Sequence, residues 1–168
     1  LRDELLDLLE LHATGLEADV ATRANRATGY SVGARALMAA APLDISSRFS
    51  SGGMRSTLED LVRWARAWLD GKVVSDASWR AITTPETTSE GFSPDYGLGF
   101  AVYPQRGRKV VAHAGGQSGA TSLLLLVPEE RFAVVILSNV TARGPVLNRL
   151  ATRLREVVLD DGLPVRAL

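Results

Sequence analysis

The spacing of apolar positions changes near residue 90, and returns to a helical period only at the C-terminal end. Before that point it follows the 3.6-residue period of a helix; after it, the two-residue period of a strand. Leu1–Leu11 sets leucines at 1, 5, 8 and 9 among acidic residues and predicts an amphipathic helix. Thr14 to Ala41 is mixed, with Gly15, Gly29 and Gly33. It predicts loop, with a short helix at Ala34–Ala40 that Pro42 ends. Ser50-Ser51-Gly52-Gly53 predicts a tight turn. Ser56-Thr57-Leu58-Glu59 reads as a capping box, in which the Ser56 hydroxyl accepts from the Glu59 amide and Glu59 reaches back to Ser56. A helix is expected from Thr57 to Leu69, stopped at Gly71, with Leu58, Leu61, Trp64, Ala65, Trp68 and Leu69 on its apolar face. Ser75 opens a shorter helix to Ile82, closed by Pro85.

The second half alternates. Strands are expected at Tyr96–Tyr103, Lys109–Ala114, Thr121–Val127 and Phe132–Ser138, the last two joined by a turn at Pro128-Glu129-Glu130-Arg131. Pro145 suits the first turn of a final helix that runs to about Asp160, with Gly162 as its stop. The pattern predicts an α+β fold: a helical segment, then an antiparallel sheet of about four strands, then a C-terminal helix over one sheet face. One domain over 1–168 is expected, mostly helical and loop over 1–90, sheet and helix over 91–168.

Composition narrows the function classes. Apolar residues make up 46% and charged residues 23%, with 19 basic and 19 acidic side chains and zero net charge. A neutral chain has no long-range pull on nucleic acid or an anionic membrane, so neither is expected as a partner. No apolar run reaches the length of a membrane span. The chain has no cysteine, which excludes disulfides, thiolate zinc sites and cysteine nucleophiles. It has two histidines, and neither pairs with an acid at a metal-binding spacing, so neither a metal nor any other cofactor is expected. Glu129-Glu130 and Asp160-Asp161 read as solvated charges, and Trp64, Trp68 and Trp79 as core. No secretory leader is visible, and Leu1 rather than Met begins the chain, so a piece of a longer protein is expected and compartment is not legible.

Candidate chemistry concentrates in Val110-Val111-Ala112-His113-Ala114-Gly115-Gly116-Gln117-Ser118-Gly119-Ala120. An apolar run leads into a histidine, then into small residues, then into the apolar run Ser122–Val127. Such a strand carries a polar side chain into a pocket and bares its backbone beside a ligand. The plainer alternative for a single histidine is a strand-end residue satisfied by the backbone; the flanking glycines favour the cleft. His12, at a helix end, reads as structural. Gly116–Ala120 resembles a nucleophile elbow with Ala in last place, but an elbow needs strand, sharp turn and helix, and the following run is too short for a helix. Ser118 is therefore read as a loop residue that touches substrate rather than attacks it.

At these residues the chain resembles the C-terminal half of the serine β-lactamase and penicillin-binding-protein superfamily, on its class C β-lactamase and esterase side. Five blocks occur in order: Ala27-Thr28-Gly29-Tyr30, Ser51–Leu61 with its S-T-x-x-D-L helix start, Tyr96-Gly97-Leu98-Gly99-Phe100, His113-Ala114-Gly115 as the H-x-G form of K-T-G, and Leu137-Ser138-Asn139. The resemblance implies a partial β-lactamase/transpeptidase-like fold and acyl transfer by a serine to which a lysine one turn later lends its base. It implies that His113 points into the cleft, that Gly115 permits close approach, and that the Gly116 amide is one of two oxyanion donors. His113 and Gly116 are thus the catalytic candidates, and Gly115, Gln117 and Ser118 the substrate-binding ones.

Neither S-x-x-K nor Y-x-N occurs here; the resemblance places both upstream of Leu1. The expected partner is a small β-lactam, ester or peptide, turned over by the full-length protein and not by this chain alone. If the upstream strands are absent, Phe132–Ser138 is expected to expose an edge through which copies pair. A non-catalytic interaction module on the same fold is the second reading. A self-contained Ser118/His113 hydrolase is set aside, because no acid is placed to orient the imidazole.

Overall fold

The structure is a computed structural model that describes residues 1–16, 26–42 and 44–160. Its first half is a series of short elements. A π-helical turn (Arg2–Leu6) precedes β1 (Gly15–Leu16), β2 (Tyr30–Val32), β3 (Leu37–Ala39), a 3-10 turn (Ile45–Arg48), the single helical turn α1 (Phe49–Gly52) and β4 (Met54–Arg55). Two longer helices follow, α2 (Leu58–Leu69) and α3 (Asp76–Ile82). The second half holds β5 (Ala101–Gln105), β6 (Arg108–Gln117), β7 (Ala120–Val127), β8 (Phe132–Ser138) and α4 (Gly144–Arg155), which a π-helical stretch extends to Asp160. The four strands form one antiparallel sheet in the order β5-β6-β7-β8. The expected α+β class holds.

Alternation sorts the sheet into two faces. Val110, Ala112, Leu123, Leu125, Val127 and Val134 pack under Leu147 and Ala151 of α4. Val102, Val111 and Leu126 face the other way, under Ala65 of α2 and beside Phe100. Both faces are therefore covered, where the sequence reading placed a helix over one. Trp68 stacks with Trp64, Trp79 and Phe100 at centroid distances of 5.5, 5.1 and 5.5 Å, so the tryptophans are core, as expected.

Five expectations need correction. The Leu1–Leu11 helix stops at Leu6; Glu10 is left-handed at φ 56°, and only Leu6 and Leu11 are buried as anchors. Ala34–Ala40 is no helix: Leu37–Ala39 pairs with Tyr30–Val32 as a hairpin. The backbone of Tyr30 is claimed from outside, its amide donating to Asn139 O at 2.8 Å and its carbonyl accepting from Thr141 N at 2.8 Å, and that tertiary pairing overrides alanine's helix propensity. The α2 cap is Thr57, whose hydroxyl accepts from Asp60 N at 3.3 Å, one residue later than the capping box placed it. Ser56 instead shares a 2.7 Å hydrogen bond with Thr14. The strand expected at Tyr96–Tyr103 begins at Ala101, because Gly97 N turns back to Phe100 O and Leu98 N donates to Ile82 O. At Ser50–Gly53, α1 takes the place of a glycine turn. Gly162 lies outside the described residues.

Candidate active site

Strand register decides what the His113 segment offers. Ser118-Gly119 is a two-residue turn, so Gln117 and Ala120 form a hydrogen-bonded pair, and so do Gly115–Ser122 and His113–Leu124 behind it. The turn Arg106-Gly107, both residues at positive φ, sets the same parity between β5 and β6, with Ala101–Ala112 the last bonded pair. Odd-numbered amides of β6 therefore serve β7, and even-numbered ones serve β5. β5 ends opposite Ala112. Beyond that point β6 is an edge, and the amides of Ala114 and Gly116 point away from the sheet. No turn or side-chain bond among the described residues takes either one.

The side chains of His113 and Gln117 alternate onto the face of Val111, the α2 face, with Gly115 between them. His113 is exposed, past the end of the tryptophan cluster. Among the described residues it stands on open surface; the hollow between α2 and β8, about 210 Å³, and the one beside α4, about 280 Å³, are both lined by other residues. A Cβ at Gly115 would stand 2.6 Å from Ser122 Oγ. The missing side chain thus leaves room for a hydroxyl from β7, between His113 and Gln117. Ser122 is a candidate the sequence reading did not single out; a serine opening an all-leucine run was its signal.

The tip of the hairpin is held at four points. Gln117 Nε2 donates to Gly52 O at 2.6 Å, and Ser118 Oγ to Ala41 O at 2.8 Å. Gly119 N donates to Thr141 Oγ1 at 2.7 Å. Gly29 packs directly on Gly119: a Cβ there would lie 2.7 Å from Gly119 Cα. Both side chains expected to touch substrate, Gln117 and Ser118, thus carry a bond to the scaffold. Two sequence blocks are joined by the same logic, since Asn139 Nδ2 donates to Thr28 O at 2.9 Å. On β4, burial holds the Arg55 guanidinium below its ordinary value. Among the described residues no three acids or histidines gather in a way that would hold a metal ion, and no helix is long and apolar enough to cross a membrane.

The octameric penicillin-binding protein homologue from Pyrococcus abyssi superposes with a TM-score of 0.78 at 21% identity, over 95% of this chain and 36% of that one. The family described as Beta-lactamase matches residues 1–159, and this chain belongs to it. The D-aminopeptidase of Gluconobacter oxydans (strain 621H) is 33% identical over 87 residues, 52% of this chain and 17% of that protein. Penicillin-binding protein 4* of Bacillus subtilis (strain 168) is 30% identical over 90 residues, 52% of this chain and 20% of that protein. The matched stretch is thus a fifth or less of each curated relative's length.

Proposed function

We propose that this chain is the C-terminal part of a β-lactamase-family serine hydrolase that cleaves β-lactams, esters or peptides through an acyl-serine. In this reading the nucleophilic serine and its lysine come from polypeptide outside the 168 residues. The serine oxygen bonds the substrate carbonyl carbon, its proton passes to the lysine, and the carbonyl oxygen gains the charge; collapse of that adduct breaks the bond to the leaving nitrogen or oxygen, which takes up the proton, and water then releases the acyl group from the serine. The Gly116 amide donates to that oxygen, one of two such donors, each worth about 3 kcal/mol in acyl transferases. His113 hydrogen-bonds near the serine or the leaving group, and Gly115 keeps the floor low enough for the acyl group to approach. Gln117 and Ser118 border the bound substrate, as part of a wall that their bonds to Gly52 and Ala41 hold in place. The observation that carries this is the run of β6 beyond Ala112, exposed histidine and outward amides together. D-Aminopeptidase and penicillin-binding protein relatives support the acyl-transfer class.

The test is turnover of nitrocefin and p-nitrophenyl esters. The full-length protein is expected to be active and to lose about 10²-fold in kcat/KM on His113→Ala; the 168-residue chain is expected to be inactive. Turnover by the short chain that His113→Ala abolishes would overturn this reading. A non-catalytic module is favoured by one observation: β8 pairs with β7 alone among the described strands, and so offers an edge to a second copy. A full-length protein that no acylating β-lactam probe labels, yet which dimerises, is what that reading expects.

A further inference from the structure

Among the described residues, Gly116 has no backbone bond of its own to hold it. Its amide and carbonyl both point off the β6 edge, and Thr121, directly opposite on β7, forms a non-bonded pair with it. Its peptide is fixed instead by the bonded pairs on either side, Gly115–Ser122 and Gln117–Ala120. The second of these is the last rung before the Ser118-Gly119 turn. A last rung frays unless the turn beyond it is anchored.

The anchor comes from the loop after β8. Gly119 is buried at φ 75°, and its amide donates to Thr141 Oγ1 at 2.7 Å. A Cβ on Gly119 would lie 2.8 Å from Gly29 Cα and 2.9 Å from Ala40 Cβ, so the turn has no room to shift toward β2 and β3. The Thr141 hydroxyl is itself held. It donates to Tyr30 O at 3.2 Å and lies 3.1 Å from Ser31 Oγ. The Thr141 amide donates to the same Tyr30 carbonyl at 2.8 Å. One residue earlier, the Val140 carbonyl accepts from Thr121 Oγ1 at 2.7 Å, and Thr121 Oγ1 accepts in turn from Arg143 N at 3.1 Å. The loop that carries Thr141 is thus tied both to β2 and to the residue opposite Gly116. The bond from Ser118 to Ala41 O, by contrast, is exposed, where water can replace it. The buried Gly119 amide has no such substitute.

We propose that Thr141 is a positioning residue: through the Gly119 amide its hydroxyl holds the last β6–β7 rung, and so aims the Gly116 amide at the developing oxyanion. This rests on the hydrolase reading of the same site. A donor fixed beforehand needs no reorganisation as charge develops. One that is free to swing still admits substrate but meets the transition state less well, so its loss falls on kcat rather than KM.

The experiment compares the full-length wild type with Thr141→Val and Thr141→Ser. Valine is close to threonine in volume but leaves the Gly119 amide unpaired; serine keeps the hydroxyl. Turnover is followed on whichever of nitrocefin and a p-nitrophenyl ester the wild type prefers, and the acyl-enzyme carbonyl is followed by infrared spectroscopy. Thr141→Val is expected to lower kcat about 10-fold with KM within about twofold, and to move the acyl carbonyl band to higher frequency, because a weaker hydrogen bond leaves that bond stiffer. Thr141→Ser is expected to return both to the wild-type values. A Thr141→Val protein that melts earlier but keeps kcat and the band overturns the proposal, since Thr141 would then serve stability alone. A change confined to KM, or a serine variant that restores neither readout, overturns it too. If Thr141→Val does not fold, the smaller Thr141→Ala decides on the same two readouts. An active wild type with an unaltered valine variant removes this inference alone. A wild type that turns over neither substrate removes the hydrolase reading and this inference with it.

Discussion

At the residue scale, three glycines differ in what their missing side chains make room for. A Cβ at Gly52 would collide first with the Gln117 side chain, overlapping Nε2 and standing 2.9 Å from Cδ. A Cβ at Gly29 would meet backbone, the Cα and carbonyl of Gly119 at 2.7 and 2.8 Å. Side chains yield and backbone does not, so the two substitutions should behave differently. Gly52→Ala is expected to cost about 1–2 kcal/mol by displacing Gln117 from the Gly52 carbonyl, and close to nothing in a Gln117→Ala background. Urea unfolding of the four proteins of that cycle checks it; equal costs in both backgrounds would show that the contact does not matter. No side-chain truncation should rescue Gly29→Ala. Gly115 is intermediate, its space taken by the Ser122 hydroxyl. Pairs such as Gly52–Gln117 and Gly29–Gly119 join residues 65 or more apart, which is why the sequence shows that glycine recurs in motifs but not which atom each one admits.

At the element scale, α2 shows how local signals misplace a contact by one residue. The pattern S-T-L-E matches a capping box, and a helix start there is correctly expected. The carboxylate that matters belongs to Asp60, however, not Glu59. Asp60 is 2% exposed and accepts from Ala13 N, Thr14 Oγ1 and Arg63 Nη1, each at 2.8 Å, tying the N-terminal segment to the helix. Asp60→Ala would leave those donors without a partner and is expected to cost about 3 kcal/mol, whereas Glu59→Ala, on the exposed side, should cost less than about 0.5 kcal/mol. Denaturant melts that rank the two the other way would restore the capping box. The β2–β3 hairpin shows the same limit. Its alanines favour a helix locally, but the strand is held by backbone bonds to Asn139 and Thr141, more than a hundred residues away.

At the scale of the whole molecule, ion pairs join elements that the core leaves apart. Asp70, at the end of α2, binds Arg131 in the β7–β8 turn. That hydrogen bond, helped by the charges of Arg131 and Lys72, holds the Asp70 carboxyl below its ordinary value. A lowered folded-state pKa means stability that is present above the unfolded value, near pH 4, and lost as pH falls through the folded one. Tm of the wild type should therefore drop more steeply than that of Asp70→Asn between about pH 5 and pH 2. Parallel decline in the two proteins would show that the pair contributes nothing.

Much of this architecture follows from the order of residues alone. Alternation from Lys109 onward is a local property, because successive side chains of a strand must point to opposite faces. It placed β7 and β8 within a residue and put His113 at the head of a glycine-rich strand end, but it covered one face of the sheet where the structure covers both. Where β5 stops is not local. It depends on the Gly97–Phe100 turn against Ile82, and only that stop turns the second half of β6 into an edge among the described strands, its even-numbered amides turned outward. Periodicity is set by the geometry of one chain segment, whereas edges and vacated side-chain spaces exist only between segments that folding brings together.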